Sequence, residues 1–351
     1  MSIKKKIREL GKRFLGNICL VRKVMYYRVA NPQKFWEENG NSLQDFTAEI
    51  RKDMVSALFR YGCSYEEYFF YDFLHIKDVK YRKSFITDFN RFTYYAKFNK
   101  YKNMHLFDDK LKTYELYGKH YGRELLFLTE NSEQELSEFI KRHPRIIVKP
   151  TNLSCGMGVE LIDTTTYASA KELLHYLIST DRFLVEEVLK QSQALAKLHP
   201  SSVNCARVAT ILVGKEGNYD VEIFHPFLKI GRHGSIVDNG ASVRGVIVKI
   251  DAQTGKLCTD GCDEAGMRYT EHPETGIILN GYQLPDWDQA IALVKQLALV
   301  LPSNRYTGWD IAHTENGWVI IEGNARGQFI GQQMADVVGR KAEIDAIAKR
   351  I

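Results

Sequence analysis

The chain has 351 residues, 44% of them hydrophobic and 26% charged, and its 48 basic and 43 acidic residues give a net charge of +5. This length allows a large core and two or more lobes, and the composition is that of an ordinary soluble protein. The charge permits an anionic substrate or surface, but it is too small to indicate a protein built to bind nucleic acid.

The first 29 residues predict a basic amphipathic helix. Among many lysines and arginines, apolar residues recur at steps of three or four: Ile3, Ile7, Leu10, Phe14, Ile18 and Val21. Such a helix can lie on an anionic membrane surface or dock on the protein's own core, and both alternatives stay open. No apolar run in the sequence approaches the ~20 residues that cross a bilayer.

Residues 1–105 are predicted to form a helical, aromatic-rich region. In SLQDFTAEIRKDMVSALFRYG, Ser42 is placed to cap a helix. One face of that helix carries four apolar residues: Phe46, Ile50, Met54 and Leu58. The aromatic segment SYEEYFFYDF that follows is expected to pack this helical layer. Since no strand is followed by a glycine turn here, a Rossmann unit is not expected.

Residues 106–190 alternate between helix and strand patterns, which predicts a small α+β lobe. Helices are expected in DDKLKTYELYGKHY, SEQELSEFIKRH and SAKELLHYLIST, and strands in ELLFL, RIIVKP, GVELID and RFLVEEVL. Ser132 and Glu135 have the spacing of a capping box at the start of the second helix.

Residues 191–351 predict a larger, strand-rich lobe. Strand patterns occur in CARVATILVG, YDVEIFHPFLKIG, VRGVIVKID, GWDIAHT and GWVIIEGNA. Helices are expected in WDQAIALVKQLALVL and DVVGRKAEIDAIAKRI. The turn signal TENG between the last two strand patterns predicts a hairpin.

A lysine ends the strand pattern RIIVKP, in a place where an unpaired charge is avoided. The segment LSCGMGV follows Lys149 and carries two glycines, so its backbone N–H groups can approach phosphate oxygens closely. It matches neither a Walker motif nor G-x-G-x-x-G, and alone it is equally typical of a hairpin turn. Together, the lysine and the loop predict a triphosphate site.

Two further strands add polar groups to this site. FLVEEVL offers an apolar slot for a planar ring, and its carboxylates, Glu186 and Glu187, can accept ribose hydroxyls. SVNCARVAT adds Asn204 and Arg207. Because Arg207 enters a strand that otherwise reads as buried, it needs an anionic partner, which is either a ligand or one of the nearby acids.

The predicted hairpin carries three oxygen-bearing side chains. Glu322 and Asn324 are two residues apart and therefore share a face of their strand, and Asp310 on the partner strand can face the same space. Such hard oxygen ligands suit magnesium, which keeps several waters and usually bridges phosphates. The alternative is a hairpin whose acids are simply solvated.

In this order, the features resemble the ATP-grasp superfamily, and most closely its branch associated with sugar transfer and capsular-polysaccharide gene clusters. The resemblance runs from about residue 106 to residue 333, through DDK, IIVKP…GMGVELI, FLVEEVLKQSQALAKLHPSSVNCARVAT, HPFLKIGRHGSIVDNGASVRGVIVKID and GWDIAHTENGWVIIEGNARGQF. It implies an α+β fold of the ATP-grasp type, in which two lobes clasp ATP, preceded here by the helical region. The family commonly has a Rossmann-like domain in that place.

The resemblance also implies a role for each site residue. The nucleotide would contact Lys110, Lys149, Ser154, Gly156, Gly158, Glu186, Glu187, Val188 and Gln193. Magnesium would be held by Asp310, Glu322 and Asn324, and the catalytic residues beside the γ-phosphate and the acyl group would be Lys149, Asn204 and Arg207. The acceptor side would be lined by Lys229, Arg232, Asp238, Asn239 and Arg244.

The implied activity is that of an ATP-dependent carboxylate–amine ligase, which uses ATP and Mg²⁺ and forms an amide through an acylphosphate. Its substrates would be small-molecule or saccharide carboxylates and amines. Two alternatives are a kinase-like phosphotransferase on the same fold and a non-catalytic nucleotide-binding scaffold for cell-surface polysaccharide assembly. Six scattered cysteines favour free thiols in a cytoplasmic protein, with residues 1–29 available to contact the inner face of a membrane.

Overall fold

The computed structural model describes residues 19–151, 158–236 and 245–351. Up to residue 104 the described chain is helical, as the sequence predicted. Helix α1 comprises residues 19–29, and six more follow: α2 (Pro32–Glu38), α3 (Ala48–Tyr61), α4 (Tyr65–Phe70), α5 (Val79–Lys83), α6 (Arg91–Phe98) and α7 (Tyr101–Met104).

The limits of α3 follow from its local sequence. Thr47 caps the helix by accepting a hydrogen bond from the N–H of Ile50, and Gly62 ends it with a φ of +71°. The prediction that Ser42 caps this helix is wrong, because Ser42 caps a separate 3-10 turn, Leu43–Asp45. The helix therefore starts five residues later than the sequence suggested.

Helix α1 docks on the helical region through one face. The hydroxyl of Tyr26 accepts a hydrogen bond from the N–H of Tyr65 at 2.9 Å. The ring of Tyr26 also lies 5.1 Å from the ring of Tyr65 and 5.4 Å from that of Phe89. One face of residues 19–29 therefore docks on the protein's own core, and membrane contact through the opposite face stays a prediction. The rest of the predicted helix, residues 1–18, lies outside the described residues.

Aromatic side chains form the core of the helical region, as predicted from SYEEYFFYDF. These aromatic residues are Tyr65, Tyr68, Phe70, Tyr71 and Phe73. They pack together with Cys262 and Met334 from the C-terminal part of the chain. A second cluster joins Tyr94 and Phe98 to Tyr306 and Phe329. The helical region is thus packed against the strand-rich part rather than standing apart from it.

A small antiparallel sheet with the strand order β1-β4-β2-β3 follows. Its core lies between the sheet and helices α9 and α10. The elements in chain order are α8 (Lys110–Tyr117), β1 (Leu125–Phe127), α9 (Glu133–Arg142), β2 (Arg145–Lys149), β3 (Glu160–Asp163), α10 (Ala170–Ser179) and β4 (Leu184–Glu187). Each of the predicted segments in this part is confirmed.

The capping box predicted at the start of α9 is wrong. Ser132 precedes the helix but makes no side-chain cap, and its hydroxyl instead accepts a hydrogen bond from the N–H of Thr129 at 3.0 Å. The hydroxyl therefore stabilises the turn before the helix, although its spacing to Glu135 fits a capping box.

A larger antiparallel sheet has the strand order β11-β10-β5-β6-β7-β8-β9. Its strands are β5 (Cys205–Lys215), β6 (Asn218–Ile230), β7 (Val246–Lys249), β8 (Gly261–Cys262), β9 (Arg268–Tyr269), β10 (Tyr306–Thr314) and β11 (Gly317–Asn324). Its helices are α11 (Gln193–Ala196), α12 (Trp287–Val300), α13 (Gly331–Met334) and α14 (Lys341–Ile347). The predicted hairpin is confirmed, whereas the predicted helix over residues 336–351 is shorter than expected.

Helix α8 belongs to the core of the large sheet. The ring of Tyr117 lies 5.2 Å from that of Trp309, and Phe107 lies 6.0 Å from the same tryptophan. The predicted boundaries at residues 105 and 190 stay a prediction, and this packing indicates that residues 107–121 support the larger lobe. Within the described ranges, no helix combines the length and apolar character needed to cross a membrane.

Candidate functional site

A cleft of about 1200 Å³ lies between the two sheets. Its lining comes from both sheets and from the helical region. Of the predicted site residues, these line it: Lys110, Lys149, Glu186, Glu187, Val188, Arg207, Lys229, Asp310, Glu322 and Asn324. The cleft therefore brings together most of the site that the sequence predicted.

The small sheet contributes a buried ion-pair cluster around Glu186. Lys149 ends β2 and its ammonium donates to Oε2 of Glu186 at 2.9 Å. Arg123 donates from Nε to the same oxygen at 3.0 Å and from Nη1 to the carbonyl of Ile320 on β11 at 2.9 Å. Arg123 thus ties the small sheet to the large one, a role that no signal in the sequence indicated.

Two cations hold the Glu186 carboxylate in its charged form. Burial alone would raise the pKa of Glu186, but Arg123 and Lys149 outweigh burial and lower the pKa to about 2. Without a ligand, the anionic partner of Lys149 is therefore Glu186. A bound phosphate could take over Lys149 without leaving Glu186 unpaired, because Arg123 remains beside it.

Lys110 lies between the two walls of the cleft. It starts α8 directly after the cap Asp109, and its N–H donates to the carbonyl of Thr151. Burial lowers the pKa of its ammonium, Glu322 acts to raise it, and Lys149 acts to lower it. Lys110 is therefore within electrostatic reach of both the Glu186 cluster and the hairpin.

The predicted nucleotide hinge lies at the end of β4. Glu187 and Val188 line the cleft, and Oε2 of Glu187 accepts the N–H of Glu124 at 3.1 Å. Gln193 is exposed and lies outside the lining, and its N–H donates to Glu315. Gln191 of the same segment lines the cleft, and the predicted role of Gln193 stays a prediction.

Two predicted residues of the phosphate loop, Ser154 and Gly156, lie outside the described residues. Gly158 is described, and it is exposed with a φ of +73°. A positive φ is a conformation that glycine adopts without strain, which explains its presence at the end of this loop. The role of the loop stays a prediction.

On the large sheet, three predicted residues lie in one row. Arg207 on β5 is the direct partner of Asp310 on β10, and Asp310 is the direct partner of Glu322 on β11. Directly opposed residues of antiparallel strands project to the same face. Asn324 is two residues further along β11, opposite Gly308, so its side chain shares that face.

Asp310 is a second buried carboxylate held by two cations. It accepts bonds from Nε and Nη2 of Arg207 at 2.5 and 2.7 Å, and Lys229 approaches it at 3.3 Å. Burial would raise the pKa of Asp310, but Arg207 and Lys229 lower it to about 2. The sequence left open whether Arg207 pairs with a ligand or with a nearby acid, and in the structure it pairs with the acid Asp310.

The donor set on the hairpin fits magnesium, with one condition. Nδ2 of Asn324 donates to Oε1 of Glu322 at 3.1 Å, which leaves oxygen donors of both side chains beside the cleft. Asp310 would have to share its oxygens between a cation and Arg207. No cluster of three or more His, Cys, Asp or Glu ligands occurs among the described residues, and the predicted trio contains only two carboxylates.

Asn204 lies beneath the cleft and outside its lining. It is fully buried, and its Nδ2 donates to Oε1 of Gln191 and to the carbonyls of Leu195 and His199. Its Oδ1 accepts the N–H of Gly231. These bonds organise the chain around β5 and β6, so we leave Asn204 out of the proposed reaction centre.

Of the five predicted acceptor residues, two are described by the structure. Lys229 lines the cleft beside Asp310, whereas Arg232 lies outside the lining and pairs with Asp263 at 3.3 Å. Three others lie outside the described residues: Asp238, Asn239 and Arg244. Their roles stay predictions.

A family model described as sugar-transfer associated ATP-grasp matches residues 90–349, which is most of the chain. No curated protein matches the sequence.

Three solved structures are similar to this chain at low sequence identity. The ATP-grasp ligase PsnB complexed with minimal precursor is 14% identical with a TM-score of 0.44, over 72% of this chain and 63% of that one. D-alanine–D-alanine ligase from Helicobacter pylori is 14% identical with a TM-score of 0.39, over 70% and 59%. N5-carboxyaminoimidazole ribonucleotide synthetase from Thermus thermophilus is 12% identical with a TM-score of 0.42, over 71% and 54%. The chain thus spans less than two thirds of each of these proteins.

Proposed function

Because the chain belongs to the sugar-transfer associated ATP-grasp family, we propose that it is an ATP-dependent ligase that joins a carboxylate to an amine through an acylphosphate. One observation carries this proposal. The cations Lys149 and Lys110 line the same cleft as the oxygen donors Asp310, Glu322 and Asn324. Cations that share a cleft with hard oxygen donors are what a metal-chelated triphosphate requires.

In this proposal the nucleotide lies across the cleft from β4 to the hairpin. The adenine contacts the backbone around Glu186 to Val188, and the triphosphate lies beside Lys149 and Lys110. Partial burial makes these cations more effective than they would be in water, because the local dielectric constant is lower. Arg123 keeps Glu186 paired while Lys149 moves from the carboxylate to a phosphate oxygen.

Magnesium would be held by Glu322 and Asn324, with Asp310 as a further ligand. When bound, the ion would neutralise phosphate charge and polarise a phosphoryl oxygen. The protein's own contribution is to fix these ligands on two paired strands, with Arg207 locked in a two-bond ion pair behind them. Such preorganised charges need no rearrangement when charge develops at the reacting group.

The proposed reaction has two steps. A substrate carboxylate oxygen bonds to the γ-phosphorus while the bond from that phosphorus to the bridging oxygen of ADP breaks, and ADP leaves. An amine then attacks the acyl carbon, phosphate leaves, and the amine loses a proton. Arg207 and Lys229 line the floor of the cleft, where they can stabilise the developing oxyanion.

The family description supports a saccharide substrate, since it associates these proteins with sugar transfer. We therefore propose that the carboxylate or the amine belongs to a sugar, a polysaccharide precursor or an amino-acid-type compound. The phosphotransferase alternative uses the same cleft but requires only a hydroxyl acceptor.

The direct test is a screen of ADP release over pooled carboxylates and amines, followed by mass spectrometry of any product. We expect ADP release that needs both partners and a product with a new amide. We also expect Lys149→Ala and Glu322→Ala to lower turnover by at least about 100-fold while the protein stays folded. A phosphorylated product formed without an amine would favour the phosphotransferase, and background hydrolysis with every pool would favour a scaffold.

We also propose that the N-terminal helix brings the enzyme to the inner face of a membrane. Apolar side chains of α1 remain exposed on the side away from its docking face: Leu20 at 53%, Val21 at 57%, Met25 at 63% and Val29 at 83%. Basic residues flank them, namely Arg22, Lys23 and Arg28. Exposed apolar residues among cations are typical of a helix that lies on an anionic lipid surface.

A further inference from the structure

The cleft is larger than a nucleotide needs, and the helical region forms part of its wall. Its volume of about 1200 Å³ exceeds the roughly 300–1,000 Å³ of most ligand pockets. Phe70 at the end of α4 and Arg91 at the start of α6 both line it. A segment that lies outside the two sheets therefore contributes directly to the substrate side of the site.

Arg91 has hydrogen-bonding capacity that the described protein does not use. Its side chain is 14% exposed, and Nη2 pairs with Oδ1 of Asp88 at 2.8 Å. Nε and Nη1 are buried and have no hydrogen-bond partner among the described residues. Leaving donors of a charged group unsatisfied is costly, so an additional anionic partner would stabilise this arrangement.

Helix α6, which carries Arg91, is joined to the backbone next to Arg207. Tyr95, one helical turn after Arg91, donates to the carbonyl of Gly327 at 2.7 Å. Tyr306 donates to the same carbonyl at 3.0 Å. A Cβ atom added at Gly327 would lie 3.5 Å from Nη1 of Arg207. Arg91 and Arg207 thus lie near the same pair of buried tyrosines, Tyr95 and Tyr306.

Electrostatics agrees with this placement. Burial raises the pKa of Tyr306, while Arg207 and then Arg91 act to lower it. Both guanidinium groups therefore act on the same phenol. Because Arg207 already has Asp310 as its counter-ion through two bonds, Arg91 is the better partner for a further anion.

The wall of the same cleft also carries an apolar surface. Phe70 and Met334 belong to one buried cluster, against which Ile247 and Ile330 also pack, and all four line the cleft. A ring or carbon chain can rest on this surface while its charged end reaches an arginine.

We propose that Arg91 forms a second anion subsite, which binds an acidic group of the substrate other than the carboxylate that is phosphorylated. The substrate would then carry two anionic groups, one at the hairpin and one at Arg91, with its carbon skeleton on the surface around Phe70. The second group is a carboxylate or a phosphate, since a guanidinium binds both through paired hydrogen bonds. This inference rests on the proposed ligase function and names the substrate class.

The test measures binding to the full chain loaded with Mg·AMPPNP, by calorimetry. Two matched pairs of probes are titrated: glucuronate 1-phosphate against glucuronate, and glutarate against butyrate. In at least one pair, we expect the probe with the second anionic group to bind about 10- to 100-fold more tightly than its partner, because a hydrogen bond to a charged group adds that much affinity. The pair that shows the preference tells whether the second group is a phosphate or a carboxylate.

Variants then assign the preference to Arg91. Arg91→Gln should remove it, Arg91→Lys should keep part of it, and the exposed Lys97→Gln on the same helix should leave it unchanged. All three should bind Mg·AMPPNP as the wild type does, which shows that they are folded. The subsite would be overturned by a wild type that prefers neither glucuronate 1-phosphate nor glutarate over its partner. An Arg91→Gln protein that keeps the preference would overturn it as well. Failure of the wild type to bind Mg·AMPPNP would instead contradict the ligase proposal itself.

Discussion

Glu186 and Asp310 are buried carboxylates in different sheets, and each is held by two cations. Glu186 contacts Arg123 and Lys149, and Asp310 contacts Arg207 and Lys229. Such pairs add little net stability, because removing the charges from water offsets most of their attraction. Their value is positional, since each cation that would meet the nucleotide or the substrate is already held in place.

The two acids of the hairpin should respond differently to loss of charge. Asp310→Asn leaves Arg207 and Lys229 without their carboxylate, and we expect it to lower the free energy of unfolding by about 3–5 kcal/mol. Glu322→Gln removes a charge at the cleft surface, and we expect a stability loss below about 1 kcal/mol. Both should lose ATP turnover. Urea titration and ADP release measure the two effects.

Asp288→Asn, at an exposed position of α12, serves as the control for both measurements. Equal stability of Asp310→Asn and wild type would show that the buried cations do not depend on this carboxylate. Full turnover by Glu322→Gln would remove Glu322 from the proposed magnesium site.

Acid should destabilise the fold through Glu186. Its pKa lies at about 2 in the folded protein and at 4.5 without the fold, so the folded state favours the charged form. The stabilisation is therefore complete above about pH 4.5 and is lost as the pH falls towards 2. A shift of this size corresponds to about 3 kcal/mol. Glu186→Gln should be less stable at pH 7 and should lose less stability between pH 7 and pH 2 than the wild type does. A parallel decline of both proteins would contradict this account.

At the scale of elements, the hairpin needs close packing on the side opposite to its acids. A Cβ atom at Gly323 would lie 2.7 Å from the ring of Trp309 and 2.9 Å from that of Phe107. Gly323→Ala must therefore displace strand β11 or these rings, and we expect a loss of about 1–3 kcal/mol. Because Glu322 and Asn324 flank this glycine, turnover should fall as well. Chemical denaturation and ADP release of the purified variant measure both effects.

Gly118→Ala is a suitable comparison, because the atoms nearest to its added Cβ would belong to the ring of Tyr114, the closest at 3.3 Å. We expect its stability to stay within about 1 kcal/mol of wild type. If Gly323→Ala were equally well tolerated and fully active, the hairpin would not depend on this close approach.

Periodicity predicted the longer strands and several helices because each pattern is local, but it did not predict the two-residue strands β8 and β9. The hairpin at TENG and the lysine that ends β2 follow from turn chemistry and apolar runs, and both are confirmed. Helix ends were less predictable. Ser42 and Ser132 have the residue type and spacing of caps, but their hydroxyls serve neighbouring turns. A short hydroxyl can satisfy either partner, and only the folded backbone decides which one it meets.

Residues that act across sequence distance could not be predicted. Arg123 joins Glu186 to the backbone of Ile320, and these three positions belong to no common motif. Asn204 is the reverse case: the family resemblance implies a place beside the γ-phosphate, whereas its side chain lies outside the cleft lining and bonds to Gln191 and to the carbonyl of Leu195. Family resemblance gives the order of the elements, and packing decides which side chains reach the cleft.

At the scale of the whole molecule, the inner face of the helical region forms one wall of the cleft. This face packs on the large sheet and places Phe70 and Arg91 in the cleft. The sequence predicted this region as helical and aromatic, but it could not show that the region forms a wall of the site. That wall depends on contacts between residues more than 200 positions apart, such as Tyr95 with Gly327.

The charge of the protein is concentrated at its N-terminus. Residues 1–29 contain nine of the 48 basic and one of the 43 acidic residues, so the remaining 322 residues carry 39 basic and 42 acidic side chains. The body of the protein is therefore slightly acidic, and attraction to an anionic surface must come from this segment. Each basic residue near such a surface contributes about 1 kcal/mol.

We expect the wild type to sediment with vesicles that contain about 30% phosphatidylglycerol and to remain in the supernatant with pure phosphatidylcholine, because only the former carry a negative surface potential. Binding should weaken with salt, because ions screen the attraction over about 10 Å at 0.1 M.

Val21→Glu with Met25→Glu places acids on the exposed face of α1 and should lower binding at least about tenfold, since each carboxylate opposes both burial and attraction. Met267→Glu, at an equally exposed residue outside α1, should have no effect. Melting temperatures should stay unchanged in both proteins, because these side chains are exposed. Equal binding to neutral vesicles, or undiminished binding by the double variant, would show that α1 does not hold the protein on a membrane.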